Sequence, residues 1–227
     1  MTYEDAMLWL VMGKNMWHRK IALLMRKFGS PGRVWEASYE QLVQSGILKE
    51  EDAGELCESR ENFDPAAEWC KLEQKGIRFL TDRSEEFPKK LLDIPDRPYA
   101  LFIKGCIHSD GTEKRVAVIG ARVCSAYGRY AAGKFAGELA EYGIATVSGM
   151  ARGVDSAAHQ GTVDAGGRTY AILGCGVDIC YPPENKYLYD RIIEQGAVLS
   201  EYPPGTRPNA WQFPERNRLI SGMADCV

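Results

Sequence analysis

Residues 144–176 read IATVSGMARGVDSAAHQGTVDAGGRTYAILGCG. Ile144 to Ser148 is a short uncharged run that stops at Gly149, and Thr169 to Leu173 repeats the pattern before Gly174-Cys175-Gly176. Residues 154–165 lie between them as a helix. Runs this short and continuously apolar, joined by a helix, belong to a parallel sheet covered on both faces. The same alternation continues outward. Upstream, Val116 to Ile119 ends in Gly120 and leads to a helix over 126–142. Downstream, a glycine loop leads to a helix near 186–195 and a fourth strand, Ala197 to Ser200. The pattern predicts an α/β fold, a Rossmann-like doubly wound parallel sheet.

The chain before this sheet has a different texture. Residues 1–63 read as short helices: Ile21, Leu24, Met25 and Phe28 keep helical spacing until Gly29-Ser30-Pro31-Gly32 stops them. Val34, Trp35 and Ala37 follow, then Tyr39 to Ser45, ended by Gly46. Helix, glycine turn, helix predicts a small N-terminal helical domain of the helix-hairpin-helix, SAM-like sort. It is acidic overall, which suits packing or protein interaction better than reading DNA. Residues 64–110 form a bridge with a helix around Trp69 and Leu72 and short strands at Ile77 to Leu80 and Tyr99 to Ile103. Phe87-Pro88, Ile94-Pro95 and Arg97-Pro98 break it repeatedly, so an irregular segment laid against the sheet domain of 111–227 is expected.

Composition excludes several classes of function. The 227 residues carry 28 basic and 31 acidic side chains, a net charge of −3. That excludes a highly basic nucleic-acid protein and leaves room for a local basic groove. Residues 115–227 hold eleven basic and eleven acidic residues, which fits a narrow groove with few phosphate contacts. No stretch approaches the ~20 apolar residues of a membrane span. The N-terminus places acidic residues before its apolar run and basic ones after it, the reverse of a signal peptide, so a cytoplasmic protein is expected. Seven cysteines without a CxxC pair or Cys/His ligand spacing predict free thiols and no metal site.

Ligands of such sheets bind at the carboxyl ends of the strands. Here those ends carry Gly120-Ala121-Arg122, Ser148-Gly149-Met150-Ala151-Arg152-Gly153, Gly174-Cys175-Gly176 and Glu201-Tyr202-Pro203-Pro204-Gly205. Glycines permit close backbone approach, helix N-termini offer N–H groups, and arginines add phosphate contacts. A phosphate-bearing ligand follows. GxGxxG and GxxxxGK[ST] are both absent, which argues against NAD and against ATP hydrolysis, so no cofactor is expected. Asp155 and His159, spaced i,i+4, meet on one helix face; a structural hydrogen bond is the favoured reading over an acid/base pair. Trp211 to Gly222, WQFPERNRLISG, leaves two readings open: aromatics and arginines for a strand whose bases stack, or a loop whose aromatics fill the core.

Taken together, SGMARGVDSAAHQGTVDAGGRTYAILGCGVDICYPPEN, LSEYPPGTRP and FPERNRLISG closely resemble the DNA-processing protein A (DprA/Smf) family, in order, from about Val116 onward. The resemblance implies a non-enzymatic protein that binds single-stranded DNA, protects it and loads the RecA recombinase during bacterial natural transformation, working as a homodimer. It places Arg122 of the GxR turn in the single-strand pocket and makes Phe213 a base-stacking residue. Ser148, Gly149, Gly174, Arg216, Asn217 and Arg218 would line or shape that pocket, with Arg152 beside it. Ala121 stands where the family usually has serine, and Ala210-Trp211-Gln212 stands just before the FP pair, where members often have a lysine. The chain ends at Asp225-Cys226-Val227, where the family begins another strand, so the resemblance puts the dimer and RecA surfaces largely beyond it. The rival reading is a nucleotide phosphoribohydrolase of the lysine-decarboxylase-like (LOG) type, whose PGGxGTxxE signature this sequence lacks.

Overall fold

The computed structural model describes residues 1–108 and 111–227. Six helices come first: α1 (Tyr3–Met12), α2 (His18–Phe28), α3 (Pro31–Glu36), α4 (Tyr39–Gln44), α5 (Glu50–Asn62) and α6 (Pro65–Gln74). Their ends obey local chemistry. Thr2 and Asp5 form a reciprocal capping box on α1, and Gly29 closes α2 in the left-handed conformation at φ +84°. Ser30-Pro31 and Asp64-Pro65 supply cap and first turn to α3 and α6. In α1, Ala6 through Val11 are buried without a break, so this is a core helix rather than a surface one.

The remaining elements are β1 (Arg78–Thr81), β2 (Ala100–Gly105), β3 (Arg115–Ala117), α7 (Ala126–Glu141), β4 (Ala145–Ser148), α8 (Val154–Asp164), β5 (Thr169–Ile172), α9 (Lys186–Gln195), β6 (Ala197–Ser200) and α10 (Gln212–Met223). The strands form one sheet in the order β1-β2-β6-β5-β4-β3. From β3 to β6 the pairing is parallel, as the alternation of strand and helix predicts. Both bridge strands join the same sheet and run antiparallel, with Phe102 opposite Ser200. The sheet is therefore mixed. An antiparallel neighbour needs no helical crossover, which is why a proline-broken connection suffices between β1 and β2.

Side chains alternate across the sheet into two layers. Ala100, Phe102, Ala171 and Val198 face one side, where residues of α8 and α9 share a core with Met7, Trp9 and Leu24 of the N-terminal helices. Leu101, Ile103, Tyr170, Ile172 and Leu199 face the other, under Leu219, Ile220 and Met223 of α10 and the short 3-10 turn Lys89–Leu92. After α10 the chain returns to the outer edge of β3. There Cys226 pairs in parallel with Val116, and the Ala117 N–H donates to the Cys226 carbonyl at 2.8 Å. The strands from β3 to β6 progress one way and the Cys226 segment lies the other way. The order reverses between them, which is where open α/β sheets hold their ligands.

Candidate nucleic-acid interface

A cleft of about 490 Å³ opens at this reversal, with Gly120, Arg122, Ala151, Phe213, Arg216 and Asn217 in its walls. The segment from Trp211 onward, which the sequence leaves open to a loop, is helical from Gln212 to Met223. Its first turns form one side of the cleft.

Asp155 organises the floor. Its carboxylate accepts the N–H groups of Gly120 at 3.4 Å, Gly149 at 3.2 Å and Ala151 at 3.4 Å. Burial pushes its pKa up, while Arg216 and these amides pull it down. The amides at the ends of β3 and β4 that the sequence offers to a phosphate are therefore occupied by a side chain of the fold itself. A phosphate in the cleft would find these three amides taken. His159 is not bonded to Asp155; it lies fully buried with Nδ1 2.6 Å from the Thr169 hydroxyl. The structural hydrogen bond expected between the two is therefore absent, and each is buried with partners of its own.

Arg216 is the second organiser, only 4% exposed. Its Nη1 donates to the Gly149 carbonyl at 2.8 Å and to the Ile172 carbonyl, and its Nε donates to the Asn217 side-chain oxygen at 3.3 Å. Burial lowers its pKa to about 10, with Asp155 opposing, so it stays charged at neutral pH. It ties α10 to the ends of β4 and β5. A Cβ on Gly149 would lie 2.6–2.8 Å from the guanidinium, so this position has no room for a side chain.

Phe213 is seated in the same way. A Cβ on Gly174 would meet its Cδ1 at 2.8 Å. The ring stacks on Tyr181 with centroids 5.6 Å apart and planes 27° apart, and the Arg122 guanidinium carbon lies 5.2 Å from its centroid. Arg122 is exposed and has no ion-pair partner among the described residues. Asn217, exposed as well, completes this wall.

Three expected residues stand elsewhere. Ser148 is buried and its hydroxyl donates to the Val118 carbonyl at 2.6 Å. Arg152 is exposed but ion-paired with Glu184. Arg218 leaves the cleft altogether: its Nη2 donates to both oxygens of Glu201, at 2.8 and 2.6 Å, a carboxylate whose pKa burial raises against the pull of Arg218. Tyr181 escapes a reading of the sequence, where its only cue is an aromatic beside a proline in the loop after the third glycine turn. So does the brace on α10, where Arg19 donates to Glu215 at 2.9 Å and the Trp17 and Trp211 rings lie 5.0 Å apart. Among the described residues no three His, Cys, Asp or Glu side chains group as a metal site, and no helix is long and apolar enough to cross a membrane.

Fold and cleft together define a Rossmann-like α/β protein with an unpaired arginine beside an aromatic ring at its topological switch point. Residues 78–227 match the model of the family described as DNA recombination-mediator protein A, a region that starts at β1 and so includes the antiparallel hairpin. The chain belongs to that family. It is similar to DNA processing protein DprA of Streptococcus pneumoniae, 43% identical over 137 residues, which cover 60% of this chain and 48% of that protein. Protein Smf of Synechocystis is 36% identical over 171 residues, 74% of this chain and 43% of that one. The chain spans about half the length of the curated relatives it matches. Among solved structures, the X-ray structure of DprA from Streptococcus pneumoniae superposes with a TM-score of 0.76 at 30% identity, covering 99% of this chain and 76% of that one. DNA processing protein A from Helicobacter pylori, whose structure is described for its single-stranded DNA binding mode, gives 0.57 at 31% identity, over 66% and 68% of the two chains. The phosphoribohydrolase reading gains no support from these matches.

Proposed function

We propose that this chain binds single-stranded DNA at the cleft between the loop after β3 and α10, as part of a recombination mediator. The observation that carries this reading is the unpaired Arg122 beside Phe213, a cation for a phosphate and a ring for a base at the position where the fold holds ligands. Arg122, Phe213 and Asn217 would touch the strand. Gly149, Gly174 and Arg216 would shape the pocket, Ser148 would support it from beneath, and Arg152 would meet the strand at the rim. Arg218 serves the fold in this reading. The Helicobacter pylori relative, described as binding single-stranded DNA, adds support.

In the whole protein the same reading implies a cytoplasmic mediator that catalyses no reaction, protects incoming DNA during natural transformation, pairs with a second copy and loads RecA. The test is fluorescence anisotropy of a labelled oligothymidine across a salt series, with matched duplex as competitor. Binding that duplex fails to displace is the expected result. Equal competition by duplex, or no binding, overturns it.

A further inference from the structure

Three side chains run cation, ring, ring from the wall of the cleft. Arg122 lies 5.2 Å from the Phe213 centroid, and Phe213 stacks on Tyr181 at 5.6 Å. Arg152 is ion-paired with Glu184, three positions along the chain from Tyr181. We propose that Tyr181 is a second base platform, and that a strand anchored at Phe213 runs across the outer face of Tyr181 to Arg152. This rests on the single-stranded DNA reading of the same cleft.

Core packing does not account for Tyr181. A tyrosine that serves the core buries its ring and bonds its hydroxyl. Tyr181 is 39% exposed, and its hydroxyl has no hydrogen-bond partner among the described residues. Stacked bases need about 3.4 Å on each side, so two rings 5.6 Å apart do not admit a base between them. The next base must use the solvent side of Tyr181. Among the described residues, the ion-pair partner of Arg152 is the exposed Glu184. Exposed ion pairs contribute little in water, so a phosphate can exchange for that carboxylate.

The test compares Tyr181→Leu, Tyr181→Phe and Phe213→Leu for binding to labelled oligothymidine. Tyr181→Leu should weaken binding by about fivefold to a hundredfold, the usual range for one stacked base, with the salt slope unchanged. Tyr181→Phe, which keeps the ring, should restore what the leucine variant loses. A Tyr181→Trp chain gives a readout independent of affinity: oligothymidine should quench its fluorescence beyond the response of the five native tryptophans. If Tyr181→Leu binds as the parent does while Phe213→Leu is weakened, Tyr181 is no platform and the Phe213 reading stands. If neither substitution matters, both readings fall. If the phenylalanine variant is as weak as the leucine one, the hydroxyl is responsible and stacking is overturned. Should Tyr181→Leu not fold, absence of excess quenching in Tyr181→Trp overturns the proposal by itself.

Discussion

Arg216 and Gly149 fix each other: the guanidinium donates to the Gly149 carbonyl at 2.8 Å, and it fills the space that a side chain at 149 would need. This contact joins α10, and with it Phe213, to the carboxyl end of β4. A buried cation therefore acts as a tie between elements of the cleft.

Gly149→Ala tests that tie. Gly149 does not adopt a left-handed conformation, so alanine is acceptable to the backbone and would reduce unfolded-state entropy by ~0.4–1 kcal/mol in its favour. The clash with Arg216 outweighs this, because overpacking a rigid site costs ~1–3 kcal/mol. A net loss of about 1–2 kcal/mol in urea unfolding is expected, with weaker oligothymidine binding as α10 shifts. Arg216→Met should cost about 3 kcal/mol or more, since it strands two carbonyls and leaves Asp155 without its cation. Parent-like stability of both variants would remove Arg216 from this role.

Arg122 has no ion-pair partner among the described residues, so its removal should act mainly on DNA. Arg122→Ala should leave the urea midpoint unchanged and weaken binding to oligothymidine and mixed sequences about equally, because a phosphate contact carries no base information. The logarithmic salt slope should fall by roughly 0.7, the single-strand value for one phosphate contact. A sequence-dependent loss would mean that Arg122 reads a base edge.

Arg218 and Glu201 give the opposite pattern. Arg218→Met leaves a half-buried carboxylate without its partner, at a cost of about 1.5–3 kcal/mol. Replacing both, Arg218→Met with Glu201→Leu, should recover most of that stability. The double variant should bind oligothymidine as the parent does. Loss of binding in a stable double variant would return Arg218 to the interface.

These contrasts show what the sequence could and could not disclose. The end of α2 at Gly29 was legible because capping is local, and so were the four parallel strands with their glycine turns. The placement of β1 and β2 was not, since proline-broken strands give no hint of which sheet edge they join. In the cleft, the family resemblance has both arginines of FPERNR line or shape the pocket; in the structure Arg216 turns to backbone carbonyls and Arg218 to Glu201. A helix sends residues two apart in different directions, and the acid that claims Arg218 is 17 positions away. Strand-end amides looked free for the same reason, because only the fold brings Asp155 beneath Gly120.

His159 makes the fold sensitive to mild acid. The Thr169 hydroxyl donates to the Thr146 carbonyl at 2.9 Å, so it accepts from His159 Nδ1–H, and the buried Nε2 has no partner. Protonation would add a charge and an unmatched donor to the core, and burial, helped by Arg216, accordingly lowers the pKa to about 3 from 6.5. Below 6.5 the unfolded chain takes up a proton that the folded one refuses, so stability falls as pH drops through the window from 6.5 toward 3. The slope approaches ~1.4 kcal/mol per pH unit, or about 2 kcal/mol lost at pH 5. His18, held down to about 4 by burial and by Arg218, adds to the same trend. Asp155 works the other way, since its raised pKa favours the folded state as protons bind. His159→Gln isolates the contribution: urea unfolding at pH 7 and pH 5 should show a smaller loss on acidification than in the parent, by the equivalent of one proton. An identical loss in the two chains would mean that His159 protonates in place.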